Sequence, residues 1–318
     1  MNTHHGAARL RLTPLAIAIA SLLGTSATIA AEVRTVAPTV EVVGTSPIPG
    51  LDRPKDEIPS NVQSIRRDRL RDTGAAGLPE LLGSQLQSVN VNEIQGNPYQ
   101  ADVNYRGFTA SPLLGTPQGL SVYQDGVRIN EPFGDVVNWD LIPNIAILRM
   151  DLLPGSNPMF GHNTLGGAIS VNTKSGFTSP KVEFSALGGA FGRRQYQLAA
   201  GGNSGPLAGF FALNKFDEDG WRTNSPTSVR QYFGRIDIRG TSTEATLSLL
   251  KAENTLVGNG LIPESMYDQR RESIFTYPDQ TENRSHLMAL SASHMVILVA
   301  SVMVRKSWGG IPSPLREI

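Results

Sequence analysis

The chain has 318 residues, 40% of them hydrophobic and 18% charged, with 28 basic residues against 28 acidic ones and no cysteine. That is more than one average domain of a folding composition, and it excludes a disulfide framework. A formal net charge of zero gives no electrostatic reason to bind nucleic acid.

At the N-terminus Arg9 and Arg11 precede an apolar segment, Leu15 to Leu23, and the small residues Ala27 to Ala31 follow. This predicts a secretory signal peptide over residues 1–31. A membrane-spanning helix needs ~20 apolar residues, so the segment is too short to span. An exported chain without cysteine must draw its stability from burial or from closing a large sheet.

Residues 32–57 are proline-rich with scattered charge and should stay extended as a tether. Within them Thr39-Val40-Glu41-Val42-Val43 is a β-prone segment near a free end. Such a segment can add itself as a strand to a partner's sheet edge, or simply begin the first domain.

Residues 58–175 mix short helices and strands, the pattern of an α+β domain. Strands are expected over Ile58–Ile65, Val89–Asn92, Val103–Phe108, Ile145–Leu153 and Ala168–Asn172. A basic helical turn is expected over Arg66–Arg71, and a short helix from Leu78 to Leu82 ending around Gly83. Asp125-Gly126 suits a two-residue hairpin turn between Leu120–Gln124 and Val127–Ile129. Residues 111–119 carry too many breakers to be regular, and residues 131–143 form a second irregular segment. Its Phe133 and Trp139 either meet a ligand or pack the core. Beyond Pro154 the glycines and prolines end in Gly166-Gly167, where the backbone turns sharply or approaches another surface closely.

Beyond Gly176 the pattern changes to alternation. Lys181–Leu187, Gln195–Ala200, Leu207–Asn214, Gln231–Arg239, Glu244–Lys251 and Ser285–Ser293 read as strands with turns between them. Tyr232, Gly234, Ile236 and Ile238 fall on one face, and Phe233, Arg235, Asp237 and Arg239 on the other. A transmembrane barrel requires this division, and a soluble antiparallel sheet with one wet face shows the same period.

Catalytic chemistry is not expected. His162, His286 and His294 have no metal-ligand spacing, and Asp217-Glu218-Asp219-Gly220 lacks the ligands that would make a calcium loop. No nucleophile elbow, phosphate loop or dinucleotide fingerprint occurs, so neither an enzyme nor a cofactor is predicted.

Tyr105-Arg106-Gly107-Phe108, Tyr123-Gln124-Asp125-Gly126-Val127-Arg128-Ile129-Asn130 and the stretch Ile145–Gly176 together resemble the plug domain of a TonB-dependent outer-membrane receptor. The resemblance implies an α+β plug domain over residues 58–175, followed by an incomplete antiparallel transmembrane β-barrel over 176–293. It implies that Thr39, Val40, Glu41, Val42 and Val43 are a TonB box, engaged by the TonB energy-coupling protein. Arg106, Gly107, Phe108, Gly166 and Gly167 would meet the barrel wall. Ser111, Leu113, Thr116, Gln118, Phe133 and Asp135 would lie on apical ligand loops. The partners implied are outer-membrane lipid and a metal chelate or other small ligand, in a Gram-negative outer membrane.

Two departures stand out. Where many members carry Arg-Gly-Pro, this chain has Pro154-Gly155-Ser156, so a second arginine that would accompany Arg106 is missing. About six strands follow, where plugged barrels use about 22, and after His294 the alternation gives way to an apolar run and a proline-rich stop. These features predict a truncated sequence whose residues 294–318 arise from a shifted reading frame. The competing expectations are a secreted, soluble β-rich binding or adhesion module and a non-functional receptor fragment.

Overall fold

Where apolar residues run together the chain folds as a mixed domain, and where they strictly alternate it folds as one long meander. The computed structural model describes residues 42–44, 52–54, 57–66, 69, 74–277 and 279–294. The leader, Thr39 to Glu41, Arg67, Asp68, Leu70, Arg71 and the tail beyond His294 lie outside these residues.

Val42–Gly44 (β1) pairs antiparallel with Asp52–Pro54 (β2). The strand expected from Ile58 is confined to Gln63–Arg66 (β3); residues 57–60 turn instead, with the Ser60 N–H donating to the Ile58 carbonyl at 2.7 Å. Pro59, which has no N–H to give a ladder, sits inside that turn. Leu78–Gln85 (α1) starts with proline in its first turn, where the missing N–H costs nothing, and Glu80 accepts from the Ala76 N–H at 3.0 Å. The helix runs past Gly83 because the bare Cα makes room for the Val91 side chain.

Val89–Asn92 (β4), Asp102–Tyr105 (β5) and Phe108–Ala110 (β6) form a small three-stranded sheet. The single strand expected over Val103–Phe108 is therefore a hairpin. Tyr105 pairs with Phe108, and Arg106 and Gly107 turn with φ of 51° and 88°. Both central residues at positive φ is the geometry that matches the twist of the flanking strands. Leu120–Gln124 (β7) and Val127–Arg128 (β8) flank the predicted Asp125-Gly126 turn. Ile147–Pro154 (β9) and Gly167–Thr173 (β10) complete a five-stranded sheet in the order β3-β9-β10-β7-β8, with β10 antiparallel to β9 and parallel to β7. One core, including Leu81, Val103, Tyr105, Leu120, Trp139 and Ile147, fills the space between the helix and the sheets.

Val182–Gly188 (β11), Arg194–Ser204 (β12), Leu207–Glu218 (β13), Thr227–Arg239 (β14), Thr243–Val257 (β15) and Gln280–His294 (β16) then pair antiparallel in chain order. All six expected strands are present, several of them longer than the alternation alone suggested. The sheet is open, with β11 and β16 at its edges. At one end the connections are short, residues 205–206 and 240–242; at the other they are longer, residues 189–193, 219–226 and 258–279, the last holding Glu264–Gln269 (α2). Among the described residues no helix is long and apolar enough to cross a membrane.

The two faces of the wall differ as the alternation requires. Tyr232, Ile236 and Ile238 are exposed on one side of β14, while Phe233 and Asp237 are buried on the other. Phe184, Phe211, Leu249, Met288 and Leu290 on neighbouring strands extend the exposed apolar side. On β14 the exposed apolar positions run from Tyr232 to Ile238, with Arg230 beyond Tyr232 on the same face toward the long loops.

Candidate functional site

The inward face of the wall meets the N-terminal domain, and the seam is built from small, aromatic and amide side chains. Ala199 and Ala212 leave space for the turn at Asn144–Ala146, so that Ala146, Phe210, Phe233 and Leu250 pack as one buried cluster. Toward the long loops Tyr99 meets Phe216 edge-on at 5.3 Å, packed with Ala76, Val229 and Leu256. Burial in that cluster pushes the Tyr99 hydroxyl above its ordinary pKa.

Between the two clusters a file of inward amides converges on one residue, Asp140. The Gln195 amide donates to Asn214 at 3.0 Å, and the Asn214 amide donates to Gln231 at 2.7 Å. Gln231 and Asn254 donate to the Asp140 backbone carbonyl at 2.5 and 2.8 Å. The Asp140 carboxylate accepts from Asn254 at 2.7 Å and from Asn283 at 2.9 Å on both oxygens. Asp140 sits in the short turn Trp139–Leu141 and is 1% exposed. Burial pushes its carboxyl above the usual range, and the donors Asn283 and Asn254 pull it partly back.

Nearer the short-turn end a guanidinium holds two carboxylates. Arg235 of β14 reaches Asp125 at 3.2 Å and Thr173 Oγ1 at 3.0 Å, both in the N-terminal domain. It also grips Asp237 of its own strand through Nη2 at 2.8 Å and Nε at 2.9 Å. Asp125 further accepts from the Thr173 N–H and hydroxyl at 2.9 and 2.7 Å, and Asp237 from the Thr246 hydroxyl at 2.8 Å. Asp125 entered as a turn residue. Its partner lies 110 positions away, beyond any local signal.

At the long-loop rim Asn97 donates to Thr227 at 2.8 Å, and Gln100 to Thr281 at 2.9 Å. Arg222 is buried and ties the two long loops together, donating to the carbonyls of Asn259, Gly260 and Ser273. Desolvation lowers its pKa from the usual guanidinium value.

The expected contact residues fall elsewhere than on this seam. Arg106 is exposed at the tip of the β5–β6 hairpin, 5.0 Å over the Tyr105 ring, with no carboxylate partner among the described residues. Phe108 packs across Gly119 and Gly166, where a side chain on either glycine would collide with its ring. Gly167, at φ 144°, lets the chain pass against the Leu153 carbonyl. Phe108, Gly166 and Gly167 therefore close the N-terminal domain on itself. The missing signal was the turn at Arg106-Gly107, which redirects the whole motif.

The two expected ligand segments are brought together. The Val137 N–H donates to the Ser111 carbonyl at 2.9 Å, and Leu114 lies against Gly134. Both leave the β7–β8 hairpin at the end opposite the Asp125 turn. Ser111 is buried and bound to Gln118, whose Oε1 accepts from its N–H at 2.9 Å. Asp135 takes Arg128 at 3.1 Å and also holds Asn163. These three residues brace the loops, and Leu113 and Thr116 are half-buried. Phe133, 78% exposed, stands clear, whereas Trp139 belongs to the core. In the acidic turn Glu218 is gripped by Arg193 at 3.2 Å and Asp217 by Lys215 at 3.3 Å. Of the expected box, Val42 and Val43 lie in β1 and the other three residues lie outside the described ones.

Residues 54–168 match the family described as the TonB-dependent Receptor Plug Domain. A ferric aerobactin receptor of Klebsiella pneumoniae is 31% identical over 186 residues, covering 51% of this chain and 23% of that one. The vitamin B12 transporter BtuB of Vibrio cholerae is 26% identical over 143 residues, 45% of this chain and 22% of that one. The chain thus spans less than a quarter of the length of these curated relatives. Among solved structures it is similar in fold to the unliganded ferric citrate transporter FecA, with a TM-score of 0.62 at 17% identity over 75% of this chain and 38% of that one. The ferripyoverdine receptor of the outer membrane of Pseudomonas aeruginosa gives a TM-score of 0.60 at 15% identity over 80% of this chain and 34% of that one. These likenesses agree with an α+β domain followed by the antiparallel strands of an incomplete barrel.

Proposed function

We propose, for a chain that carries the plug domain of the TonB-dependent receptors of the Gram-negative outer membrane, that its receptor imports an iron–siderophore-type chelate by active transport. In this reading residues 1–31 direct export, 32–57 tether the box, 58–175 form the plug and 176–293 begin the wall. The chelate settles on the apical loops around Leu114 and Phe133, and no bond in it is made or broken. The energy-coupling protein adds a strand to the Thr39–Val43 segment and pulls. The plug then parts from the wall along a seam whose polar contacts can be exchanged for water.

The observation that carries this reading is the grip of wall amides Asn254 and Asn283 on the plug carboxylate Asp140. A lumen-facing polar row bound to a separate domain, behind an apolar outer band, has a use in a corked cylinder and none in a soluble sandwich. Support for a chelate cargo comes from the relatives, whose own ligands are ferric aerobactin and vitamin B12.

The test is growth under iron limitation on single ferric chelates, with the full receptor reading frame present or with Val40–Val43 deleted. Chelate-dependent growth that the deletion abolishes is expected. Growth unchanged by the deletion removes the box, and growth rescued only by cobalamin removes the siderophore assignment.

A further inference from the structure

Three plug loops make one apolar platform at the end of the domain away from Asp125, and so away from the short turns of the wall. Residues 111–119 and 155–166 contain no Asp, Glu, Lys or Arg. Arg128 donates to the His162 carbonyl at 2.9 Å and pairs with Asp135 at 3.1 Å, and Asp135 also holds Asn163. The 155–166 turn is thereby latched to the loop that carries Phe133, and the latch uses up both charges. Glu131 of the same loop is half-buried and accepts from Asn138 at 3.1 Å. What stands clear is apolar: Leu114, Phe133 and Leu165 are 62%, 78% and 60% exposed.

The end with long loops is the external one in an outer-membrane barrel. A cleft of about 480 Å3 opens there between residues 93–96 and the loops 219–226 and 258–279, a size that takes a small chelate. Trp221, Leu261 and Tyr267 line it, with Glu93 and Glu264 against Arg271. The free charge on these loops is of one sign. Glu93, Asp219, Glu264 and Asp268 are exposed and make no ion pair among the described residues. Of the loop cations, Arg193 is taken by Glu218 at 3.2 Å and Arg270 by Glu272 at 2.8 Å. Arg222 is buried and donates to the carbonyls of Asn259, Gly260 and Ser273. Arg271 is left, 5.3 Å over the Tyr267 ring, with no carboxylate partner among the described residues.

An anionic complex approaching this end is repelled by the surplus carboxylates, and once seated it finds no free pair of guanidinium groups to hold its charge. A chelate without net negative charge meets neither cost. Exposed Phe133, Trp221 and Tyr267 offer ring faces to an apolar body or to a cation. Hydroxamate monoanions cancel the charge of ferric iron, whereas catecholate dianions or a citrate shell leave the complex anionic. We propose that the imported chelate carries no net negative charge: a ferric trihydroxamate, neutral or bearing an ammonium group, whose apolar backbone lies on Leu114, Phe133 and Leu165. This narrows the cargo of the import reading and rests on it.

The experiment is equilibrium binding of radioactive iron chelates to outer membranes that hold the product of the full receptor reading frame, with uptake by intact cells measured alongside. The probes are a neutral ferric trihydroxamate, a ferric tricatecholate and ferric citrate. The trihydroxamate is expected to bind roughly tenfold or more tightly than either anionic probe, and added salt should weaken that preference by screening the carboxylates. Glu93→Gln with Glu264→Gln should narrow the preference severalfold, and Phe133→Ala should lower binding of the trihydroxamate. All probes are read on the same membranes, so a folding defect lowers each of them and leaves their ratio where it was. An anionic probe bound as tightly as the trihydroxamate would overturn the proposal, as would binding of none of them. Tight binding of the trihydroxamate whose uptake survives deletion of Val40–Val43 would instead sink the import reading and leave the charge selection standing.

Discussion

Asp140 is a buried acid whose two oxygens face only amide donors, and its substitution separates charge from shape. Asp140→Ala strands the Asn283 amide without an acceptor and leaves Asn254 only the backbone carbonyl of residue 140, at about 1–3 kcal/mol. Asp140→Asn keeps the shape, and a flipped Asn283 amide offers it an acceptor, so little stability should be lost at neutral pH. Because burial raises the Asp140 pKa above its ordinary 3.8, the protonated form is the one the fold favours. The contribution is full below the unfolded value and is lost as pH rises through the raised folded value. Unfolding midpoints followed through Trp139 fluorescence should therefore fall with rising pH across that window in wild type, and stay flatter in Asp140→Asn. A wild-type midpoint that climbs through the same window contradicts the assignment. Arg235 behaves differently, since it stands between two carboxylates. Arg235→Met leaves Asp125 and Asp237 uncompensated and should cost more than Asp125→Ala, which leaves Arg235 paired with Asp237. Equal losses in a double-mutant cycle would show that Asp125 carries the whole contact.

Among the elements, the wall strands were the most legible, because strict alternation with one apolar face has few other solutions. The Asp125-Gly126 turn was equally legible, since those residues tolerate positive φ. Arg106-Gly107 was not: an arginine at the first turn position is a weak signal, and the apolar residues on either side read as one strand. Ile58 misled for a similar reason, the apolar Val62 and Ile65 further along outweighing Pro59. The amide row was half visible. Asn214, Gln231, Asn254 and Asn283 occupy inward positions between Phe216, Phe233 and Leu250, so polar inward groups could be read from the alternation, though the plug residue they would meet could not. The turn between β9 and β10 was seen as glycine-rich, and its reason is now steric. At Gly167 an added Cβ would strike the Leu153 carbonyl, which belongs to the paired backbone and cannot move aside. Gly167→Ala should cost about 1–3 kcal/mol. Gly155→Ala, at φ 96° but facing open space, should cost less. Denaturant midpoints of the two variants make the comparison, and equal losses would assign the effect to φ alone.

For the whole molecule the decisive quantity is the solvent outside the wall. Leu249 is 49% exposed and level with Gly234, which lies between Tyr232 and Ile236 inside the exposed apolar band of β14. If water covered that face, Leu249→Arg would be an ordinary surface change, within about 0.5 kcal/mol. In a bilayer the same arginine sits at the midplane, where the cost is about 2–4 kcal/mol. Thr255→Arg supplies the control, because Thr255 lies on the same outward face near the long loops and opposite Glu282 in the ladder. An arginine there meets headgroups and a carboxylate, and should be nearly neutral. Assembly of the full chain into outer membranes, read as the protease-protected fraction, should therefore fall severalfold for Leu249→Arg and hardly change for Thr255→Arg. Equal tolerance of both would mean that the band faces water, and the seam around Asp140 would then hold two parts of a soluble protein together instead of a plug within a membrane wall.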